Sequence, residues 1–194
     1  MRNSTARPGE AIYLTKPIGN GTLVAAYRAL SASALRKAIS GTPVPDLGEA
    51  TRWMVTLNRD AARIMVEVGV GSATDVTGYG LVGHLYEICC ASGVGARIEA
   101  SRVPLLSGVR EYLARGHYPG GSARNLKAFR EHVDLRATED DLKIVCDAQT
   151  SGGLLMTVPA DRCDLVERRF REEGVMLARL GETTPEAGRI ELLP

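Results

Sequence analysis

Apolar positions recur along the chain with two periods, one near 3.6 and one near 2. Trp53, Met54, Leu57, Ala61, Ile64, Met65 and Val68 follow each other at spacings of one, three or four. That stripe predicts one long amphipathic helix from about Asp46, stopped at Gly69–Gly71. A second stripe, Leu81, Val82, Leu85, Ile88 and Cys89, predicts a helix ending near Gly93. A third, Cys163, Val166 and Phe170, lies in a helix over Asp161–Glu173. Trp and Met on such stripes are packing residues. Short β-prone runs predict strands at Ala11–Thr15, Ala96–Ala100, Leu154–Val158, Met176–Leu180 and Arg189–Leu193. Helix is expected to resume at Thr22, to follow Pro104 as far as Gly116, and to occupy Leu126–Val133 and Glu139–Val145. Pro119–Asn125 (PGGSARN) is rich in turn formers and reads as a loop.

Strands and helices alternate without a strict βαβ rhythm, which predicts an α+β fold with a mixed, mostly antiparallel sheet packed with helices. Residues 1–10 are polar, end in Pro8-Gly9 and read as a linker or tail. Residues 11–194 form the single expected domain. No internal repeat stands out.

Composition narrows the function classes. The 194 residues carry 24 Lys plus Arg against 23 Asp plus Glu, a net charge of +1, with 44% apolar and 5% aromatic residues. This is an ordinary globular balance with no global pull toward nucleic acid or membrane. Arg168, Arg169 and Arg171 alternate with Glu167, Glu172 and Glu173 and read as a solvated helix face. Cys89, Cys90, Cys146 and Cys163 lack metal-ligand spacing, and the adjacent pair reads as small core residues. No apolar run reaches the roughly 18 residues of a membrane span, and the first ten residues hold no signal-peptide core. The expectation is a reduced, cytoplasmic protein that binds neither nucleic acid nor membrane.

Candidate chemistry centres on Ser72–Gly80 (SATDVTGYG). Asp75 stands between Thr74 and Thr77 and leads through Gly78 and Gly80 toward a helix start. A hard cation such as magnesium takes one or two protein carboxylates together with phosphate oxygens, and glycines at a helix start let phosphate approach the backbone. Asp75 or Thr77 could equally cap the following helix. Asp147–Gly153 (DAQTSGG) and Gly19–Gly21 (GNG) read singly as turns. His84, His117 and His132 share no metal spacing and read as surface or satisfied core histidines. No Ser, His and Asp set can be assembled.

Taken together and in order, LTKPIGNG (14–21), ATDVTGYGLVGHLYE (73–87), VPLL (103–106), GHYPGGSARN (116–125) and CDAQTSGGLLMTV (146–158) resemble the C-terminal domain of the selenophosphate synthetase family, also called selenide, water dikinase. The resemblance runs from Arg7 onward. It implies the aminoimidazole ribonucleotide synthetase-like superfamily and an ATP-dependent conversion of selenide, ATP and water to selenophosphate, AMP and phosphate with magnesium. By that resemblance Asp75 is a magnesium ligand at the nucleotide site, with Thr74, Thr77 and Gly78 in the vicinity of the ATP phosphates. The family's N-terminal domain, with its glycine-rich segment, reactive Cys or selenocysteine, Lys and further aspartates, is absent here. The chain alone is therefore expected to be inactive, its partners being that domain and the small substrates, and the parent a homodimer. A related superfamily kinase or synthetase, or a non-catalytic interaction domain, are the alternatives. Ala148 and Ser122 stand where the family often has Pro and Thr.

Overall fold

The computed structural model describes residues 2–32 and 43–194; residue 1 of the expected tail and residues 33–42 of the expected domain lie outside the described residues. The strands are β1 (Ala11–Leu14), β2 (Ser72–Asp75), β3 (Gly95–Glu99), β4 (Val133–Leu135), β5 (Leu154–Val158), β6 (Ala178–Thr184) and β7 (Ile190–Leu193). They form one seven-stranded sheet in the order β2-β5-β1-β6-β3-β7-β4. All pairings are antiparallel except those of β7, which runs parallel to both β3 and β4. The expected mixed, mostly antiparallel α+β architecture is what forms.

Both faces of the sheet are covered, and the central strands show why. β1 reads AIYL with every residue buried. Alternation sends Ile12 and Leu14 into the larger core and Ala11 and Tyr13 into a smaller one on the opposite face. β5 divides likewise, Leu155 to the larger core and Met156 and Val158 to the smaller. Burying one such Leu, Ile or Phe side chain contributes about 1.5–3 kcal/mol, so a strand paid out to two cores is doubly anchored.

Among the described residues there are eight α-helices: α1 (Asn20–Ser31), α2 (Gly48–Val55), α3 (Arg59–Val68), α4 (Gly80–Ser92), α5 (Val109–Ala114), α6 (Gly120–Phe129), α7 (Glu139–Val145) and α8 (Cys163–Glu172). The larger core takes α4 through Leu81, Val82, Leu85, Ile88 and Cys89, all fully buried. The smaller core takes Ala61, Ile64, Met65 and Val68 of α3 against Cys163, Val166 and Phe170 of α8. Cys90, expected in the core beside Cys89, is exposed instead.

Three expectations are corrected. The long stripe from Trp53 to Val68 is two helices, α2 and α3, because Trp53 and Met54 pack on the larger core while Ala61 to Val68 serve the smaller. A straight helix cannot address opposite faces of one sheet. The chain breaks at Thr56, whose ψ is 120°, and Leu57, read as part of the stripe, is 73% exposed. Second, PGGSARN is mostly helix: Pro119 takes the N-cap position with an extended ψ of 148°, and α6 begins at Gly120. Buried hydrogen bonds of Ser122 and Asn125 override the poor helix propensity of the glycine pair. Third, the stretch after Pro104 is helical only over Val109–Ala114, because Ile18 pairs with Leu105. Ile18 N–H donates to Pro104 O at 2.9 Å, and Leu106 N–H donates to Ile18 O at 3.0 Å.

The opening segment is docked. Thr5 N–H donates to Ser72 Oγ at 3.0 Å, Ala73 N–H donates to Arg2 O at 3.1 Å, and Gly9 N–H donates to Thr183 O at 2.9 Å. The first two lie along edge strand β2, where the Ala73 N–H would otherwise be left unpaired, and the third fixes Gly9 on the interior strand β6.

Candidate functional site

The motifs that the sequence sets apart meet at one end of the sheet, and a buried carboxylate joins them. Asp147, fully buried after α7, receives three kinds of donor. Thr22 N–H in the first turn of α1 donates to Oδ2 at 3.1 Å, and Ser122 Oγ in α6 donates to Oδ1 at 2.7 Å. Gln149 Nε2 donates to both Oδ2 at 3.2 Å and the Asp147 carbonyl at 2.8 Å. Burial pushes the Asp147 carboxyl above the usual carboxylate range, and the bonds from Ser122, Thr22 and Gln149 pull it partly back.

Gln149 continues the network, its Oε1 accepting from Gly19 N–H at 3.0 Å and Asn20 N–H at 3.3 Å. Asn20 and Thr150 exchange bonds, Nδ2 to Thr150 O at 2.9 Å and Thr150 N–H to Asn20 Oδ1 at 3.0 Å. The start of α1 is therefore seated on the 147–150 loop. A β-carbon at Gly21 would stand 2.5 Å from Ala148 O and 2.7 Å from Asp147 Oδ1, so this close approach needs a glycine. Lys16, 4% exposed, ties the far end of the same loop, its Nζ donating to Ser151 O at 3.1 Å and Thr56 O at 2.6 Å. Burial lowers its pKa. Ser151 itself holds a left-handed φ of 50°.

This frame grips the backbone of the 75–80 segment and leaves its outer side open. Val76 N–H donates to Gly153 O at 2.9 Å, Gln149 N–H donates to Thr77 O at 2.9 Å, and Asn125 Nδ2 donates to Gly78 O at 2.7 Å. Gly80 turns the chain into α4 with φ 71°, where a β-carbon would lie 2.8 Å from the Cys146 carbonyl. Asp75 ends β2 opposite Leu154, and its exposed carboxylate has no hydrogen-bond or ion-pair partner among the described residues. The N-cap of α4 is Tyr79, with no side-chain capping bond, so neither Asp75 nor Thr77 is the cap. Nothing lies within 4 Å of the space a side chain on Gly78 would fill. Thr74 is half-buried and its hydroxyl stays near its own strand, 3.4 Å from Asp75 O. Thr77 Oγ1 instead lies 3.2 Å from His84 Nε2.

Sequence reasoning picked out Asp75, Thr74, Thr77 and Gly78 and passed over Asp147, Gln149, Asn20 and His84. The i, i+3 spacing of His84 and Glu87 was a local signal; nothing local connects Asp147 to Thr22 across 125 positions. Among the described residues no cluster of three or more His, Cys, Asp or Glu side chains could hold a metal, so Asp75 stands as a single carboxylate. Cys89 and Cys146 are buried thiols, each pushed up to about 12, which keeps them protonated and unreactive. No helix among the described residues is long and apolar enough to cross a membrane.

The α+β chain, with these loops at one end of its sheet, falls in a known class: residues 7–192 match the family described as AIR synthase related protein, C-terminal domain, and the chain belongs to it. Within that class it is 40% identical over 188 residues to the selenide, water dikinase of Geobacter sp. (strain M21), covering 97% of this chain and 52% of that protein. The chain spans about half the length of the curated relatives it matches. The fold recurs in the thiamine-monophosphate kinase from Stenotrophomonas maltophilia K279a, with a TM-score of 0.65 at 19% identity over 99% of this chain and 52% of that one. It recurs also in the hydrogenase maturation protein HypE crystallised with ATP, with a TM-score of 0.61 at 19% identity over 98% of this chain and 49% of that one.

Proposed function

We propose that this chain is the C-terminal half of a selenide, water dikinase, converting selenide, ATP and water to selenophosphate, AMP and phosphate, and that it supplies Asp75 to a magnesium-ATP site. The observation that carries the reading is the Asp75 carboxylate itself, exposed and unpartnered on a segment whose backbone is held by Gly153, Gln149 and Asn125. A free carboxylate on a fixed backbone fits one ligand position of a hard cation, and a single carboxylate leaves room for phosphate oxygens and water. Magnesium, when bound, would neutralise phosphate charge.

This chain's residues then have distinct tasks. Asp75 holds the cation, the open face at Gly78 admits phosphate to the backbone, and Thr74 and Thr77 stand beside it. The remaining ligands come from an N-terminal domain, the partner that the half-length match to relatives supports. Without them the phosphates are neither positioned nor neutralised, so the chain alone makes no selenide-dependent AMP. The parent is read as a cytoplasmic homodimer.

The test is Asp75→Asn in the full-length protein, with melting temperature and magnesium-dependent ATP consumption measured side by side. Asn keeps the size and removes the charge, and the structure gives this carboxylate no partner to lose. The melt should hardly move while turnover collapses. Wild-type turnover at limiting magnesium refutes the assignment.

A further inference from the structure

His84 is 7% exposed and sits between two oxygen groups that its own helix and the preceding loop provide. Its Nδ1 lies 2.9 Å from Glu87 Oε2, one turn on, and its Nε2 lies 3.2 Å from Thr77 Oγ1, just before the helix. An ionised carboxylate only accepts, so in the neutral imidazole Nδ1 carries the proton and Nε2 presents a lone pair. The Thr77 hydroxyl must then be the donor in the second bond. The Tyr79 ring, 5.6 Å from the imidazole between centroids, packs beside it.

The direction of that hydroxyl proton has a chemical consequence. With its hydrogen committed inward to Nε2, Oγ1 has only lone pairs left to offer. Val76 is fully buried between an exposed Asp75 and a half-buried Thr77. We infer that Glu87 and His84 are positioning residues that make the Thr77 oxygen a neutral ligand, beside the Asp75 carboxylate, for a divalent cation. The inference rests on the magnesium reading of Asp75. Hydroxyl oxygen is a suitable ligand for hard cations, and outer partners that orient a ligand typically change metal affinity or activity about 10–100-fold when removed.

The test has two arms in the full-length protein. In the first, histidine nitrogens are labelled with 15N and the two-bond proton couplings of the neutral ring are read, with His84→Gln identifying the signal. The expected state is a proton on Nδ1, and Glu87→Leu should move it to Nε2, with Thr77 becoming the acceptor. A wild-type proton on Nε2, or a ring that keeps both protons at alkaline pH, overturns the relay.

The second arm titrates magnesium against ATP consumption. Thr77→Val, nearly the same shape and lacking the oxygen, should raise the half-saturating magnesium concentration about 10–100-fold, and Thr77→Ser should recover most of it. Glu87→Leu, at a partly exposed side chain that does not hold the fold, should shift it in the same direction. A normal magnesium response in Thr77→Val beside an inactive Asp75→Asn overturns this inference alone. An active Asp75→Asn overturns the parent reading with it, while the tautomer measurement still reports on the geometry by itself.

Discussion

Two polar networks hold different parts of this molecule together, and they differ in where water is. At the motif end, Asp147 is fully buried and receives bonds from α1, α6 and its own loop. On the opposite face, α3 and α8 are laced by ions: Arg63 pairs with Glu67 at 2.9 Å and with Glu173, and Arg169 pairs with Glu67 at 2.8 Å and Glu173 at 3.0 Å. Those four side chains remain 23–45% exposed. The first network has more hydrogen-bond consequence with fewer charges. Water can replace any bond in the second and none in the first, so the buried one sets loop geometry and the exposed one decorates helices already packed through Ile64, Val166 and Phe170.

The largest expected effect that tests this contrast is Asp147→Ala. It strands the Thr22 N–H, the Ser122 hydroxyl and the Gln149 amide in a dry site, at about 1–3 kcal/mol per unpaired group, and should cost about 3 kcal/mol or more in a denaturant melt. The amide of Thr22 should lose hydrogen-exchange protection in the same variant. If Asp147→Ala melts like wild type, the network is not what joins these loops.

An intermediate case lies at α7, where Thr138 and Asp141 form a capping box: Asp141 N–H donates to Thr138 Oγ1 at 3.1 Å and Thr138 N–H donates to Asp141 Oδ2 at 3.1 Å. Thr138→Ala should cost about 1 kcal/mol. Thermal melts of the pair Thr138→Ala and Thr138→Ser check it, and Ser should restore most of the loss.

Acid should separate the networks by sign. Burial raises the Asp147 carboxyl, so its favourable contribution is full below the unfolded value of about 3.9 and is lost as pH rises through the folded value. The Arg169 and Arg63 guanidiniums lower Glu67, so its contribution is present above about 4.3 and is lost as pH falls through the folded value. Relative to Asp147→Asn, wild-type stability should therefore fall from pH 4 toward neutrality; relative to Glu67→Gln, it should fall on acidification below about pH 4. Slopes of the same sign would erase the distinction.

The smallest expected effect is at neutral pH. Glu67→Gln should lower the melt far less than Asp147→Ala does, and added salt should remove most of that difference, because exposed ion pairs are screened. A shift comparable to that of Asp147→Ala would place the two networks on an equal footing.

Much of the architecture was legible in local patterns. The runs AIYL and LLMTV, the stripe Leu81 to Cys89 and the stripe Cys163 to Phe170 all became the elements they predict, because burial on a sheet or one helix face writes itself into the spacing of neighbouring residues. The sequence by itself also singled out Ser72–Gly80, the segment on which the proposed function rests. It could not say that Trp53 and Ala61 belong to different cores, since a continuous 3.6-residue period carries no information about which face of a sheet lies opposite. It could not make a helix of PGGSARN, whose propensities oppose one, because the opposing term is the buried bond from Ser122 to Asp147. Nor could it turn DAQTSGG from a turn into a hub, or His84 from a satisfied histidine into the partner of Thr77. Propensity and periodicity are near-neighbour properties of a chain, whereas the partners of a buried polar group are set by which distant segments the sheet brings within hydrogen-bond reach.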